Sequence, residues 1–404
     1  MYKKMGWIFL VVMLIAGIVL YFMLSRNNKA IPEQQQSNQN KNILIEELSL
    51  EEKIGQMLMV GLDDTTLTET SRMFIKEKKV GGIILYAENL LGSYQSLELL
   101  NQIKAENKEN RIPLLLGVDQ EGGQVSRLPN SVLKLPTNEE IGRIDNSLFS
   151  FEIGKLLGDQ LSAFGFNLDF APVLDVNNNP NNPIINNRSF GDQADLVSEL
   201  GIATMKGIQS QKVMSVIKHF PGHGDTSVDS HLELPVVQKS LEELNQLELI
   251  PFKEAIDQGA DIVMVAHILI PELDPVSPSS MSNEIISQLL RSQLGFTGVV
   301  ITDDLTMKAI TNHYDIGDAA VQSVNAGSDI ILVSREEENI MAVLDALMTA
   351  VESGEISEER IDESVKRILW LKKKYNIEDR PIDSVDVDAL NQSIRAVLNK
   401  YFDQ

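Results

Sequence analysis

Short apolar runs alternate with amphipathic stretches along most of this chain. The runs that resemble buried strands are MLMVGL (57–62), GGIILY (81–86), PLLLGVD (113–119), NLDFAPVLDV (167–176), VMSVIKHF (213–220), DIVMVAH (261–267), GVVITDD (298–304) and DIILVS (329–334). Helical periodicity occupies residues 93–107, 147–164, 193–210, 241–257, 283–293 and 315–326. Apolar strands separated by helices are typical of a parallel sheet covered on both faces. The pattern predicts a (β/α)8 barrel, with an open doubly wound sheet as the alternative.

The N-terminal residues do not follow this alternation. Residues 5–25 contain no charged side chain, and Lys3, Lys4, Arg26 and Lys29 flank them. About 20 apolar residues span a bilayer as a helix. A cleaved signal peptide is the alternative, but its apolar region is usually about 7–15 residues long. We therefore predict an uncleaved membrane anchor over residues 1–25, a cytoplasmic N-terminus, and the remainder of the chain outside the cytoplasm.

The chain after the anchor divides into a linker and one domain. Residues 26–43 are polar, rich in Gln and Asn, and predicted to be a flexible linker. Residues 44–404 are predicted to form a single domain that opens with a capping box at Ser49 and Glu52. Its last part, 336–400, has the pattern of two or three helices, one of them the basic SVKRILWLKKKY. Apolar residues interleave with the basic ones, so we predict a packing helix with a solvated face.

Composition excludes several classes of function. The 404 residues carry a net charge of −23, which repels the phosphates of nucleic acid. The absence of cysteine excludes disulfides, thiolate metal sites and cysteine nucleophiles. We expect a monomer without a cofactor.

Polar residues gather where the predicted strands end. Five successive strand ends carry them, in chain order Asp119, Asp175, Lys218 with His219, His267, and Asp303 with Asp304. The loops that follow add Glu121, Arg127 and Arg188. In a (β/α)8 barrel the carboxyl ends of the strands and the loops after them form the active site. We therefore expect these side chains to meet in one pocket.

The loop after the fifth strand, PGHGDTSVDSHLELP, is the richest in candidate chemistry. With His219 before it, the stretch holds three of the five histidines of the chain. A metal site is one interpretation, but Pro221 and Gly222 prevent the helix that would bring His219 and His223 onto one face. Acid–base catalysis is the other: Asp229 lies two residues before His231, on the same side of an extended segment. A carboxylate beside an imidazole stabilises its protonated form, which makes His231 a proton donor. Asp303 is the corresponding nucleophile candidate.

Several of these residues also have purely structural interpretations. Asp119 and Asp175 could accept backbone N–H bonds in their loops, and one of the aspartates at 303 and 304 could cap a helix. His267 could be a hydrogen-bonded core histidine. His223 is predicted to shape the loop. We predict that His313 lies at the surface without a nearby partner.

The motifs KHFPGHGDTSVDSH, VDQEGGQVSR, NNRSFG and VVITDDLTM closely resemble those of glycoside hydrolase family 3, in its β-N-acetylhexosaminidase branch. The resemblance covers residues 45 to 375 approximately, with the motifs in the family order. It implies a (β/α)8 barrel and a retaining mechanism that removes β-linked N-acetylglucosamine. It also implies Asp303 as nucleophile, His231 as acid/base and Asp229 as its partner. The residues implied to hold the sugar are Asp119, Arg127, Arg188, Lys218 and His219, and Asp304 takes a structural role.

The resemblance leaves some points open. Gln124 stands where relatives in this branch often have arginine, a departure from the family pattern. A histidine acid/base is neutral in the covalent intermediate, which raises the hypothesis that phosphate could replace water. A β-glucosidase, a non-catalytic sugar-binding protein and a metallohydrolase are the alternatives to a membrane-anchored enzyme that trims N-acetylglucosamine from peptidoglycan fragments.

Overall fold

Eight short parallel strands form the centre of the protein. The structure is a computed structural model and describes residues 45–402. The strands are β1 (Leu58–Gly61), β2 (Gly82–Leu85), β3 (Leu115–Val118), β4 (Leu168–Asp169), β5 (Met214–Phe220), β6 (Ile262–Val265), β7 (Val299–Thr302) and β8 (Ile331–Val333). Every residue in them is buried, which explains why their sequences are apolar on both faces.

The strands close into a TIM-like barrel. Each strand from β1 to β6 pairs in parallel with the next along the chain, and β8 pairs with β1. The last gap is closed by a parallel bridge between Ile301 and Ile330, with Thr302 N–H donating to Ile330 C=O over 3.1 Å. The predicted barrel is therefore confirmed, and the open sheet is excluded.

Helices alternate with the strands as predicted. They are α1 (Leu50–Gln56), α2 (Glu69–Lys76), α3 (Ser93–Glu106), α4 (Asn138–Ile144), α5 (Ser147–Phe164), α6 (Ala194–Ser210), α7 (Leu241–Gln246), α8 (Leu249–Asp257), α9 (Lys308–Thr311), α10 (Ile316–Ala326), α11 (Glu337–Glu352), α12 (Glu358–Lys374) and α13 (Val387–Phe402). A π-helix, Glu284–Gln293, lies between β6 and β7. The capping box predicted at Ser49 and Glu52 is present at the start of α1.

Two elements differ from their predictions because of proline. The strand predicted over 167–176 is only Leu168–Asp169, followed by a single parallel bridge between Val173 and Lys218. Pro172 has no N–H to donate to the ladder, so regular pairing stops before it. The helix predicted over 241–257 is divided into α7 and α8. Pro251 cannot donate to the carbonyl of Leu247, and its ring would clash with that carbonyl in a continuous helix.

Helix α12 contacts the amino end of the barrel, where Lys372 donates to Gln56 and Gly81, whereas α13 packs against α5. The basic helix α12 buries Ile361, Val365, Ile368 and Leu371, as expected of a packing helix. Among residues 45–402 no helix is both long enough and apolar enough to cross a bilayer. The predicted anchor and linker, residues 1–43, lie outside the described part of the chain.

Candidate active site

All eight residues predicted to act on a substrate line one pocket at the carboxyl ends of the strands. The pocket has a volume of about 580 Å³, within the range of small-molecule sites. The eight are Asp119, Arg127, Arg188, Lys218, His219, Asp229, His231 and Asp303. The strands bring them together because parallel strands end on the same side of a barrel.

Asp303 follows β7 directly and faces the pocket. Its backbone N–H donates to Val265 C=O over 2.9 Å, and its Oδ1 accepts from the N–H of Asp304 over 2.8 Å. Burial alone would raise the pKa of Asp303, but the nearby histidines, His267 first, outweigh it and lower that pKa. The carboxylate is therefore ionised at neutral pH, as a nucleophile requires.

Asp304 and His267, which lie beside Asp303, are both held by hydrogen bonds to neighbouring residues. Asp304 accepts from the N–H groups of Thr306 and Ser334 and from the Ser334 hydroxyl, and burial raises its pKa. It thus joins the end of β7 to the end of β8. The prediction that one of these two aspartates caps a helix is wrong, because α9 begins after Met307 with no side-chain cap.

His267 is buried and bonded through both ring nitrogens. Its Nδ1 lies 2.7 Å from the Ser280 hydroxyl, and its Nε2 lies 3.0 Å from the backbone oxygen of Asp304. Burial lowers its pKa. His267 is the hydrogen-bonded core histidine that the sequence left as one alternative.

Four charged side chains lie at the floor of the pocket, with Glu121 and Lys218 buried and Asp119 and Arg188 partly exposed. Lys218 Nζ lies 2.6 Å from Asp119 Oδ1 and 2.7 Å from Glu121 Oε1. Arg188 donates to both oxygens of Glu121, over 2.9 and 2.7 Å. The two cations and two carboxylates balance, which is the condition under which buried charges are tolerated.

This network also fixes the charge states of its members. Burial alone would raise the pKa of Glu121, but Arg188 and Lys218 hold it far below its usual range. Burial opposes the charge of Lys218, but Asp119 and Glu121 raise its pKa nevertheless. The sequence placed Glu121 among the polar residues that follow the strand ends but gave it no role, and the structure places it between Lys218 and Arg188. Its spacing of two from Asp119 was the available signal, since alternate residues of an extended segment share a face.

A second pair of carboxylate and histidine adjoins this floor. Asp175 Oδ2 lies 2.6 Å from Nδ1 of His219 and also accepts from the His219 N–H. Arg188 Nη2 approaches His219 Nε2 at 3.4 Å. Because arginine only donates, Nε2 is the accepting nitrogen and Nδ1 carries the proton toward Asp175. Asp175 thus does more than the backbone-binding role considered for it, since it also orients His219.

The loop after β5 is anchored at its start by buried contacts. His223 donates its N–H to Asp175 over 2.6 Å, and its Nδ1 lies 2.7 Å from the Thr226 hydroxyl. Burial lowers the pKa of His223 to about 4, so its ring is neutral. Asn182 donates to the carbonyl of His223 over 2.8 Å. These contacts place His223 inside the loop as a shaping residue.

His231 and Asp229 occupy the outer part of this loop. Asp229 Oδ1 accepts from the His231 N–H over 2.8 Å and lies 2.9 Å from its Nδ1. The His231 side chain is 65% exposed, in contrast to the buried His219 and His223. The bond to Asp229 leaves Nε2 as the ring nitrogen free for proton exchange.

The histidines do not converge on a common centre. His219, His223 and His231 direct Nδ1 to three different partners, Asp175, Thr226 and Asp229. Over residues 45–402 no group of three His, Asp or Glu side chains is placed to hold a metal ion. Asp225, a further carboxylate in the same loop, forms an ion pair with Lys239 over 3.0 Å.

Arg127 is the substrate-binding candidate that retains hydrogen-bonding capacity. Its backbone N–H donates to Gln120 Oε1 over 2.8 Å, and Gln120 in turn donates its own N–H to the buried Asp169. Its Nε is buried without a hydrogen-bond partner in the described part of the chain. A buried unpaired donor in a pocket is satisfied by a bound hydroxyl or carbonyl group. Gln124 is exposed at the same rim.

The structure adds residues that the sequence did not single out. Tyr86, Glu88 and Arg335 line the pocket at the ends of β2 and β8. Arg335 pairs with Glu88 over 2.5 Å and lies 5.4 Å from the Tyr86 ring centroid. The prediction for His313 is partly wrong, because its Nε2 lies 2.6 Å from Glu233 at the surface.

The fold and the strand-end pocket define a (β/α)8 enzyme. Residues 49–371 match the family described as the N-terminal domain of glycosyl hydrolase family 3. The chain belongs to this family, and the resemblance seen in its motifs is confirmed.

Named relatives fall within one branch of that family. A beta-hexosaminidase of Nitrosomonas eutropha is 35% identical over 78% of this chain and 91% of its own. Beta-hexosaminidase A of Pseudoalteromonas piscicida is 36% identical over 77% of this chain, but the match spans only 56% of that protein. A solved family 3 beta-N-acetylglucosaminidase from Paenibacillus is 43% identical, with a TM-score of 0.83 over 88% of this chain and 69% of that one.

Proposed function

We propose that the protein is a retaining, exo-acting β-N-acetylglucosaminidase. The observation that carries the proposal is the pairing of an ionised Asp303 with the exposed His231–Asp229 pair in one pocket. The names of its relatives, beta-hexosaminidase and beta-N-acetylglucosaminidase, support the choice of sugar.

In the first step, the carboxylate of Asp303 attacks the anomeric carbon of the bound sugar. The glycosidic C–O bond breaks as His231 gives its proton to the departing oxygen. The product is a glycosyl-aspartate and a neutral imidazole. In the second step, His231 takes a proton from water, the water oxygen bonds to the anomeric carbon, and Asp303 leaves as a carboxylate.

The rest of the pocket orients the sugar for this chemistry. Asp119 is an acceptor for sugar hydroxyls, and Lys218 holds it from below. Arg127 and Arg188 supply donors to the same ring, and His219 lines the pocket beside them. Glu121 keeps the two cations in place and stays out of the reaction.

The test compares two aryl substrates on the purified enzyme. We expect turnover of an aryl β-N-acetylglucosaminide and little of the matching β-glucoside. The reverse preference would indicate a β-glucosidase of the same family, and no turnover of either would indicate a sugar-binding protein. Activity that a chelator removes would favour the metallohydrolase.

We propose cell-wall fragments as the substrate and a membrane-anchored enzyme outside the cytoplasm. The support is the uncharged stretch over residues 5–25 and the chemistry of peptidoglycan, which contains β-linked N-acetylglucosamine. Product analysis on purified wall fragments tests the substrate: release of free N-acetylglucosamine supports the proposal, and its absence contradicts it. Cell fractionation with external protease tests the location.

Phosphate is the second acceptor to be considered for the glycosyl-enzyme. The neutral imidazole left after the first step does not repel an anion as a carboxylate would. If phosphate replaces water, the product is N-acetylglucosamine 1-phosphate. Product analysis with added phosphate decides this point, because hydrolysis alone yields only the free sugar.

A further inference from the structure

The segment that carries Asp303 also touches the loop that carries His231. Residues 303–313 run from the end of β7 through α9 to His313. This segment meets the loop at three points, in the same order along both stretches of chain. The contacts lie immediately beside the Asp229–His231 pair.

The contacts are hydrogen bonds from the segment to the loop. The N–H of Ala309 donates to Ser230 C=O over 3.2 Å, and both residues are buried. Asn312 Nδ2 donates to Leu232 C=O at 3.4 Å. His313 Nε2 lies 2.6 Å from Glu233 Oε1. The loop residues that form these contacts, 230, 232 and 233, lie on either side of His231 in the sequence.

The opposite side of the loop is held by other groups. Asp225 pairs with Lys239, and Lys239 also pairs with the buried Glu248. The loop therefore has one anchor on its β5 side and another on the β7 side. Only the second anchor belongs to the same stretch of chain as the nucleophile.

We infer that the contact between Glu233 and His313 positions His231 over the pocket and so sets the separation between the general acid and Asp303. This inference rests on the proposed function. Glu233 and His313 are positioning residues: neither lines the pocket, and both act through the loop. The hydrogen bond from His313 lowers the pKa of Glu233, so the carboxylate is ionised and available to the contact at neutral pH.

The expected size of the effect follows from the exposure of the pair. Glu233 is 54% exposed and His313 41%. Contacts between exposed polar side chains contribute little to stability, so removal of this one should shift the loop equilibrium by roughly two- to fivefold. The buried backbone bond from Ala309 keeps the loop attached, so the variants should fold.

The experiment measures kcat/KM for two substrates with different leaving groups. N,N′-diacetylchitobiose needs protonation of its leaving oxygen, whereas a dinitrophenyl N-acetylglucosaminide does not. We expect Glu233→Ala and His313→Ala each to lower kcat/KM for the disaccharide by roughly two- to fivefold, and to change it less for the dinitrophenyl substrate. The double variant should lose no more than either single one, because both remove the same contact.

Two further variants complete the design. Glu233→Gln keeps an acceptor for His313 and should recover most of the disaccharide activity. Glu139→Ala removes an exposed ion pair with Arg143 on α4 and serves as the matched control, with no effect on either substrate.

The outcomes distinguish the positioning role of Glu233 and His313 from the proposed glycosidase function. Equal losses on both substrates, or additive losses in the double variant, would contradict a positioning role. Unchanged kinetics in both single variants would overturn it as well. If the unaltered enzyme cleaves neither substrate, the proposed function itself fails.

Discussion

The two ends of the barrel handle buried charge differently. At the amino end, Asp329 precedes β8 and is surrounded by Arg291, Arg360 and Arg367, the nearest at 2.6 Å. Ser364 and the N–H of Val300 also donate to Asp329. Each carboxylate oxygen there is occupied by the protein itself.

At the carboxyl end the charges are paired, but binding capacity remains. Lys218, Glu121 and Arg188 satisfy one another below the pocket. Among residues 45–402 the Nε of Arg127 has no hydrogen-bond partner, and His231 is exposed. The comparison teaches that burial of charge alone does not identify a functional site. The distinguishing feature of the carboxyl end is that its charged side chains line a pocket that a substrate can enter.

Replacing Asp303 with Ala should give the largest effect at the carboxyl end. We expect turnover of an aryl β-N-acetylglucosaminide to fall by roughly 10⁴-fold or more, because no other carboxylate can form the glycosyl-enzyme. The melting temperature should change little, since no cation depends on Asp303 alone. Retention of more than a few per cent of activity in a correctly folded variant would refute the nucleophile assignment.

Replacing His231 with Ala should lower kcat/KM by roughly 10²- to 10⁴-fold on a substrate with a poor leaving group. A dinitrophenyl substrate should lose much less, because its leaving group departs without a proton. Asp229→Asn is the companion variant, with a smaller loss in the same direction. A uniform loss across leaving groups would assign His231 to binding.

Replacing Asp329 with Ala tests the amino end. The change removes the carboxylate that compensates the charges of three arginines. We therefore expect the free energy of unfolding to fall by about 3–5 kcal/mol. Denaturant unfolding measures this loss. The kcat of the folded fraction should be unchanged, and a selective loss of kcat with normal stability would break the contrast between the two ends.

Lys372 gives a pH-dependent effect at the same end. It is buried, donates to Gln56 Oε1 and Gly81 C=O, and burial lowers its pKa to about 7. An unfolded lysine titrates near 10.4, so between these values the unfolded state binds more protons and stability rises with pH.

The control for that effect is Lys372→Met, because the methionine side chain does not titrate. The unfolding free energy of the unaltered protein, measured relative to this variant, should increase between about pH 7 and pH 10, by at most about 1.4 kcal/mol per pH unit. Parallel pH profiles for the two proteins would show that Lys372 stays charged in the folded state.

The sequence predicted the barrel because strand and helix periodicities are local properties. The apolar runs coincide closely with strands β1 to β8. The elements that depart from their predicted bounds do so at Pro172 and Pro251. The predicted site residues also share one pocket, because the carboxyl ends of parallel strands must lie together. The motif resemblance added roles that periodicity does not contain.

Only the tertiary structure decided which side chains pair. Lys218 and Asp119 are 99 residues apart, Arg188 and Glu121 are 67 apart, and His313 and Glu233 are 80 apart. No local pattern records such contacts, so Glu121 and Glu233 were given no role and His313 was assigned no partner. The sequence by itself therefore determined the fold and the chemical groups at its strand ends. Three-dimensional packing decided which of those groups are neutralised and which stay available to a substrate, because ionisation and hydrogen bonding depend on neighbours that are distant in the chain.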